Sequence, residues 1–205
     1  MVGLGSAGTL ATPKASSLWS VYNINSGGAS YTPKAAPGTS TSVANFDFAS
    51  SPTTALLTTT KDKALLEDLT GKGLTANFTV TATSDAVFTH ATTPCDPGPP
   101  ASARLYFTAN GGKFAYSNYW WSNPMSYAFV DGATATSSLS ESLASTSWSD
   151  WNGEPAASVP AAFATATAHV TSVGLSFGGG CYFANGVGVS PGHATFTLTS
   201  YSVTP

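Results

Sequence analysis

Apolar and polar residues alternate along much of the chain, and this period of two predicts β-strands with one face in a core and one in water. The clearest run is residues 74–83 (LTANFTVTAT), where apolar side chains alternate with threonines and an asparagine. Comparable runs predict strands at residues 18–22, 43–48, 55–60, 104–108, 113–121, 126–130, 134–144, 170–177 and 194–203. Residues 25–41 and 92–102, rich in Gly, Ser or Pro, are predicted to be loops.

A short helix is predicted from Ser158 to about His169, with Ser158 as its N-cap and Pro160 in its first turn. About ten short strands separated by turn residues predict an all-β fold. We expect a two-sheet antiparallel β-sandwich of the jelly-roll type with this one short helix. Residues 1–17 are expected to be a flexible N-terminal lead-in, and residues 18–205 a single domain.

The dipeptide Asn110-Gly111 lies between two alternating runs and predicts a β-hairpin, because both turn positions favour a positive φ. A two-residue turn would place Phe107 opposite Phe114 on the core face, which continues through Trp120. The opposite face would carry Arg104, Tyr106, Tyr119 and Trp121. Since one strand cannot bury both Trp120 and Trp121 in the core, one of them is expected to show part of its indole to solvent.

Only 8% of the 205 residues are charged, against roughly a quarter in an ordinary globular domain. The formal net charge is −3 and Arg104 is the only arginine, which argues against nucleic-acid binding, since phosphates are bound by clustered Lys and Arg. The chain contains no run of 18 apolar residues, so no membrane-spanning helix is predicted. Solubility is expected to come from hydroxyl and amide groups.

The two cysteines, Cys95 and Cys181, lie in Pro- and Gly-rich surroundings without CxxC spacing or a nearby histidine. We predict a disulfide formed in an oxidising compartment, closing a loop of about 87 residues. Two free thiols are the alternative. Residues 1–17 lack the apolar stretch of a signal peptide, so we interpret Met1 as a start codon on a trimmed, mature chain. The predicted location is secreted or extracellular.

Residues 148–154 (WSDWNGE) place two tryptophans, two carboxylates and an amide in one predicted loop. A sugar ring stacks its C–H face on a flat aromatic ring, while fixed polar groups bind its hydroxyls. The residues predicted to bind a ligand in this way are Trp121, Tyr119, Trp148, Trp151, Arg104, Asp150 and Asn152. The alternative interpretation is that Trp148 and Trp151 close the open end of the sandwich.

Three stretches carry a resemblance to known families: residues 104–107 (RLYF), 119–124 (YWWSNP) and 173–180 (VGLSFGGG). With the early tryptophan strand, the pattern resembles secreted bacterial jelly-roll carbohydrate-binding modules and laminin-B-type (laminin IV) sandwich domains over residues 18–203. The resemblance implies an extracellular module that binds a polysaccharide or a cell-surface glycan. Many jelly-roll modules hold a structural calcium near the domain ends, but residues 195–203 contain no acid, so calcium is disfavoured and no cofactor is predicted.

Two other classes of function stay open. Low charge and threonine-rich strand faces are also typical of a structural or surface-assembly subunit that associates with itself or with a cell wall. A polysaccharide-active enzyme would need two carboxylates, for which Asp150 and Glu154 are one candidate pair. Chance pairs are expected among ten acids, so no catalytic residue is assigned. The histidines lie far apart along the chain and predict no metal site.

Overall fold

The alternating segments form the strands of two antiparallel sheets. The structure is a computed structural model that describes residues 18–25, 31–112 and 115–205, so the expected lead-in at residues 1–17 lies outside the described residues. The strands are β1 (Ser20–Ile24), β2 (Tyr31–Ala35), β3 (Ala44–Asp47), β4 (Thr54–Thr59), β5 (Gly73–Ala82), β6 (Phe88–His90), β7 (Ser102–Ala109), β8 (Tyr119–Ser122), β9 (Tyr127–Ala128), β10 (Ala135–Ser142), β11 (Trp148–Asp150), β12 (Val170–Gly178), β13 (Val187–Val189) and β14 (Ala194–Thr204). The helical segments of the described part are α1 (Pro160–Thr167) and 3₁₀ turns at Lys63–Leu65, Asn110–Gly112, Tyr116–Asn118, Ser145–Ser147 and Ala156–Ser158.

The strands divide into a large sheet and a small sheet. The large sheet has the order β11-β8-β7-β12-β4-β1-β2, with β13 paired to β4 and β6, and β9 paired to β7. The small sheet has the order β10-β5-β14-β3. The predicted two-sheet antiparallel β-sandwich is thus confirmed.

The core lies between the inward faces of the two sheets and is rich in phenylalanine. Phe196 of β14 stacks on Phe46 and Phe78 of its neighbouring strands, with ring centroids 5.4 and 4.9 Å apart. Phe177 of β12 reaches Phe196 from the large sheet, at 5.4 Å. Alternate residues enter this core, so the residues between them on the large sheet face outward.

Strand β2 lies within the segment predicted to be a loop, and that prediction is wrong there. The prolines and glycines of residues 25–41 suggested irregular structure. Strand β2 within this segment is nevertheless the last strand in the order of the large sheet. Pro33 lies opposite Tyr22 of β1. An edge strand tolerates proline, because one side of its backbone has no partner strand to bond.

The turn at Asn110-Gly111 has the predicted backbone, with φ of 54° and 71°, but the predicted hairpin register is wrong. Phe107 lies opposite Trp120, and Phe114, its predicted partner, lies outside the described residues. The connection between β7 and β8 is longer than two residues and includes two 3₁₀ turns. A local turn signal sets the backbone of the turn but not the length of the loop that contains it.

Helix α1 begins at Pro160, as the proline predicts, but Ser158 is not its cap. Ser158 ends the preceding 3₁₀ turn, and Val159 occupies the N-cap position without a side-chain hydrogen bond. The two helical turns follow each other directly, which moves the cap position one residue beyond the serine.

The predicted disulfide is confirmed: Cys95 and Cys181 are bonded across a sequence separation of 86 residues. It joins the proline-rich loop before β7 to the loop that follows β12. In the described residues, no helix is both long and apolar enough to span a membrane.

Candidate ligand-binding site

The outward face of the large sheet carries aromatic residues, where a solvent-facing sheet usually carries polar ones. Tyr106 and Trp121 lie opposite each other on β7 and β8, with ring centroids 5.2 Å apart. They alternate with Phe107 and Trp120, which enter the core. The two faces predicted for these strands are therefore confirmed, although the register is not.

A depression on this face, which we call the aromatic groove, lies over the central strands. Its floor includes the small hydroxyl residues Thr58, Thr108 and Ser172. Its aromatic lining residues are Tyr22, Tyr31, Tyr106, Tyr119, Trp121 and Trp151. The strand order places the rings of β1 and β2 on one side of the floor. The rings of β8 and of the turn after β11, which carries Trp151, lie on the other side. Small residues between large ones create the depression.

The groove consists of two adjoining cavities of about 380 and 540 Å³. Both are lined by Tyr31, Trp121 and Trp151, so they meet at these rings. The first cavity continues over the floor to Tyr22. The second continues to Tyr182, on the loop after β12.

Several phenol groups of the groove lie within electrostatic reach of one another. Burial raises the pKa of Tyr106 well above its ordinary value, and the phenols of Tyr119, Tyr31 and Tyr22 raise it further. Burial also raises the pKa of Tyr31 and of Tyr119. The hydroxyls of these three shifted tyrosines are therefore protonated at neutral pH, and each can both donate and accept a hydrogen bond.

Trp151 presents the exposed indole of the groove, with 39% of its surface accessible. Trp121 is only 2% exposed, because Trp151 and Phe183 cover it with ring centroids at 5.5 and 5.7 Å. The expectation that Trp120 or Trp121 shows its indole to solvent is therefore wrong. Trp121 Nε1 has no hydrogen-bond partner in the described structure. The ring of Tyr119 packs on Trp151 at 5.5 Å, so three of the predicted site residues come together here.

Trp148 lies on the other side of the large sheet. It is 1% exposed, its Nε1 donates to the backbone oxygen of Ser142 at 2.8 Å, and its ring lies 5.1 Å from that of Phe107. Trp148 lies in β11, whereas Trp151 lies in the turn that follows it, which is closed by a hydrogen bond from the amide of Gly153 to the oxygen of Asp150 at 2.9 Å. The structure thus places Trp148 in the core, away from the groove.

Asp150 and Asn152 belong to the turn that carries Trp151. Asp150 is 4% exposed, and its Oδ1 accepts hydrogen bonds from the backbone amides of Asn152 and Glu154, both at 2.9 Å. Asn152 is exposed, and neither residue lines either cavity. The carboxylate therefore positions the tryptophan and does not face a ligand in the groove.

Arg104 lies beside the groove and not in its lining. Its guanidinium carbon is 4.9 Å from the ring centre of Phe183, a cation–π contact. Its Nη1 donates to the backbone oxygen of Ser122 at 2.9 Å. Burial lowers the pKa of Arg104, although a guanidinium keeps its charge at neutral pH. Arg104 supports an aromatic wall residue from one side.

Five aromatic lining residues are absent from the predicted site: Tyr22, Tyr31, Tyr106, Tyr182 and Phe183. Tyr22 could have been found, because it alternates with the core residue Val21. Tyr182 and Phe183 follow a run of glycines, where no alternation of apolar and polar residues predicts which way a side chain points. Only the adjacent cysteine hints that this stretch is held in place.

The loop that carries Tyr182 is anchored at both ends. The disulfide from Cys181 to Cys95 attaches its start to the proline-rich loop. Asn185 closes it, accepting from the amide of Gly179 at 3.0 Å and donating to the oxygen of Ala91 at 2.7 Å. The second cavity therefore has one wall fixed by covalent and hydrogen bonds.

Comparison of the chain with known protein families, curated proteins and solved structures finds no match. Among the residues that the structure describes, no group of three or more His, Cys, Asp or Glu side chains could hold a metal ion.

Proposed function

We propose that this protein is a non-catalytic, extracellular carbohydrate-binding module that recognises a polysaccharide or a cell-surface glycan by aromatic stacking in the groove. The observation that carries the proposal is the concentration of aromatic rings on an outward sheet face. Exposed aromatic clusters are unfavourable in water and mark surfaces that a ligand covers.

The small sheet provides the internal comparison. Its outward face carries hydroxyl and amide groups that pair across strands, such as Thr79 with Thr136 at 2.9 Å and Asn77 with Ser200 at 2.9 Å. This is the ordinary polar surface of a sandwich. The same chain therefore makes one sheet face suited to water, while the other carries aromatic rings around a groove.

The groove offers both kinds of contact that a sugar needs. Trp151 and Tyr119 present flat rings for the C–H face of a pyranose. The hydroxyl of Tyr31 lines this space and can donate to or accept from a sugar hydroxyl. The Thr58 hydroxyl donates to a backbone oxygen of β12 and pairs with the hydroxyl of Ser172, so these two can only accept a further hydrogen bond. The resemblance to jelly-roll carbohydrate-binding modules agrees with this proposal.

The disulfide supports the extracellular part of the proposal, since disulfides form and persist in oxidising compartments. Two alternatives have less support. For an assembly subunit, the described edge strand β2 carries Pro33 and Lys34, which deter edge-to-edge pairing. For an enzyme, the Asp150 carboxylate is engaged by the turn.

The test is binding to a panel of soluble polysaccharides by affinity electrophoresis, followed by calorimetry on any that retard the protein. Trp151→Ala should strongly reduce retardation. Thr79→Ala, on the outward face of the small sheet, is the matched surface control and should leave it unchanged. If no polysaccharide is bound, or if Trp151→Ala binds like the wild type, the proposal fails. Size-exclusion chromatography of the same samples would reveal a self-associating subunit instead.

A further inference from the structure

We propose that the aromatic groove selects uncharged glycan chains long enough to occupy both of its cavities, in preference to acidic or sulfated glycans and to single sugars. This inference rests on the proposed function and adds the chemical class and the minimum length of the ligand.

The argument for an uncharged ligand is the composition of the lining. Neither cavity is lined by a described Lys, Arg, His, Asp or Glu. The polar groups are phenols, hydroxyls and the side-chain amides of Asn25 and Asn185. A carboxylate or sulfate that leaves water without a counter-charge loses far more free energy than a hydroxyl does. The net charge of −3 further disfavours anions.

The nearby cation does not change this conclusion. The guanidinium of Arg104 lies against the ring of Phe183 and bonds the oxygen of Ser122. It is held outside the lining of both cavities. The raised pKa values of Tyr31, Tyr106 and Tyr119 likewise keep those phenols neutral well above physiological pH.

The argument for a chain is the shape of the space. Each cavity, at about 380 and 540 Å³, falls within the range of roughly 300–1,000 Å³ typical of small-molecule sites. They adjoin at Tyr31, Trp121 and Trp151 and then diverge toward Tyr22 and Tyr182. A single sugar would fill only one of them, whereas a chain whose neighbouring units sit on either side of the Trp151 ring would fill both.

The charge test uses matched pairs of glycans: neutral galactan against sulfated galactan, and neutral glucan or mannan against polygalacturonate or alginate. The preferred neutral glycan should bind at least about tenfold more tightly than the charged ones. Its affinity should change less than about twofold between about 50 and 500 mM salt, because no ion pair is screened. Tighter binding of a charged glycan would overturn this inference while leaving carbohydrate binding intact. If no glycan of either kind binds, the proposed function itself fails.

The length test uses calorimetry with oligosaccharides of the preferred neutral glycan, from the monosaccharide to the hexasaccharide. Affinity should rise at least about tenfold with length until both cavities are filled. Tyr22→Ala removes a ring from the first cavity alone and Tyr182→Ala from the second alone. Both variants should weaken binding of the hexasaccharide, with Thr79→Ala as the control and circular dichroism confirming the fold. Equal affinity for monosaccharide and hexasaccharide, or loss in only one of the two variants, would refute a chain spanning both cavities.

Discussion

Trp148 and Trp151 are neighbours in the sequence but should respond to substitution in opposite ways. Trp148 is 1% exposed and packs on Phe107, so Trp148→Ala should lower the free energy of unfolding by about 3–5 kcal/mol, the usual range for a buried tryptophan. The backbone oxygen of Ser142 also loses its donor, which adds about 1 kcal/mol. Trp148→Ala should still bind glycan at temperatures where it remains folded.

Trp151→Ala removes a ring of which 39% is already in water. Its neighbours in the groove lie at the surface and can relax into the space, so the expected loss is only about 1–2 kcal/mol of stability. The loss of a stacking ring should instead weaken glycan binding by about tenfold or more, or about 1.4 kcal/mol. Trp151→Phe, which keeps a flat ring, should recover part of the affinity.

The assay pairs urea unfolding, followed by fluorescence, with calorimetric titration of the glycan that the wild type binds best. We expect each variant to affect one measurement strongly: Trp148→Ala should shift the urea midpoint, and Trp151→Ala should lower the affinity for the glycan. If folded Trp148→Ala loses binding as fully as Trp151→Ala, the separation of the two faces does not govern function. If Trp151→Ala destabilises as much as Trp148→Ala, Trp151 is a core residue and not a binding ring.

Three further outcomes follow from the structure. Reduction of the disulfide, or the double change Cys95→Ser/Cys181→Ser, should lower the unfolding free energy by about 4 kcal/mol in urea titrations and also weaken glycan binding, because it releases one wall of the second cavity. The pKa of Tyr106 in the folded protein lies well above its unfolded value near 10. The stability that the neutral phenol contributes is therefore complete below about pH 10 and is lost progressively as the pH rises above it. Tyr106→Phe should reduce the fall of the urea midpoint between about pH 9 and 11. Gly174→Ala should destabilise the protein by about 3 kcal/mol or more, since a Cβ there overlaps the backbone of β4. Ser176→Ala on the same strand should be neutral or stabilising, because it removes a buried hydroxyl without a hydrogen-bond partner. Thermal melts of the two variants measure this difference.

The sequence predicted the sandwich because the period of two does not depend on which strands pair. The faces of β7 and β8 were therefore assigned correctly, with Tyr106 and Trp121 outward and Phe107 inward, despite an incorrect register. The pairing itself depends on loop length, which Asn110-Gly111 could not set.

The groove was only partly predictable for a related reason. Tyr119 and Trp121 lie two positions apart on β8, so their common face could be read from the alternation in the sequence. Tyr31 and Phe183 reach the groove through the order of the strands and the anchored loop after β12, neither of which leaves a periodic pattern. Trp148 and Trp151 separate because β11 ends at Asp150 and the chain then turns, and alternation does not predict where a strand ends.

Two of the polar residues expected to contact a ligand, Asp150 and Arg104, lie beside the groove and support its walls. Asp150 accepts two backbone amides and so fixes the turn that carries Trp151, and Arg104 supports the ring of Phe183. A sequence shows which residue types lie close together but not the direction in which each points. This difference has a chemical consequence, because charged side chains turned away from the groove leave neutral hydroxyls, amides and rings to line it. The low overall charge of the chain could not have revealed this arrangement, since selectivity depends on where the few charges lie and not on how many there are.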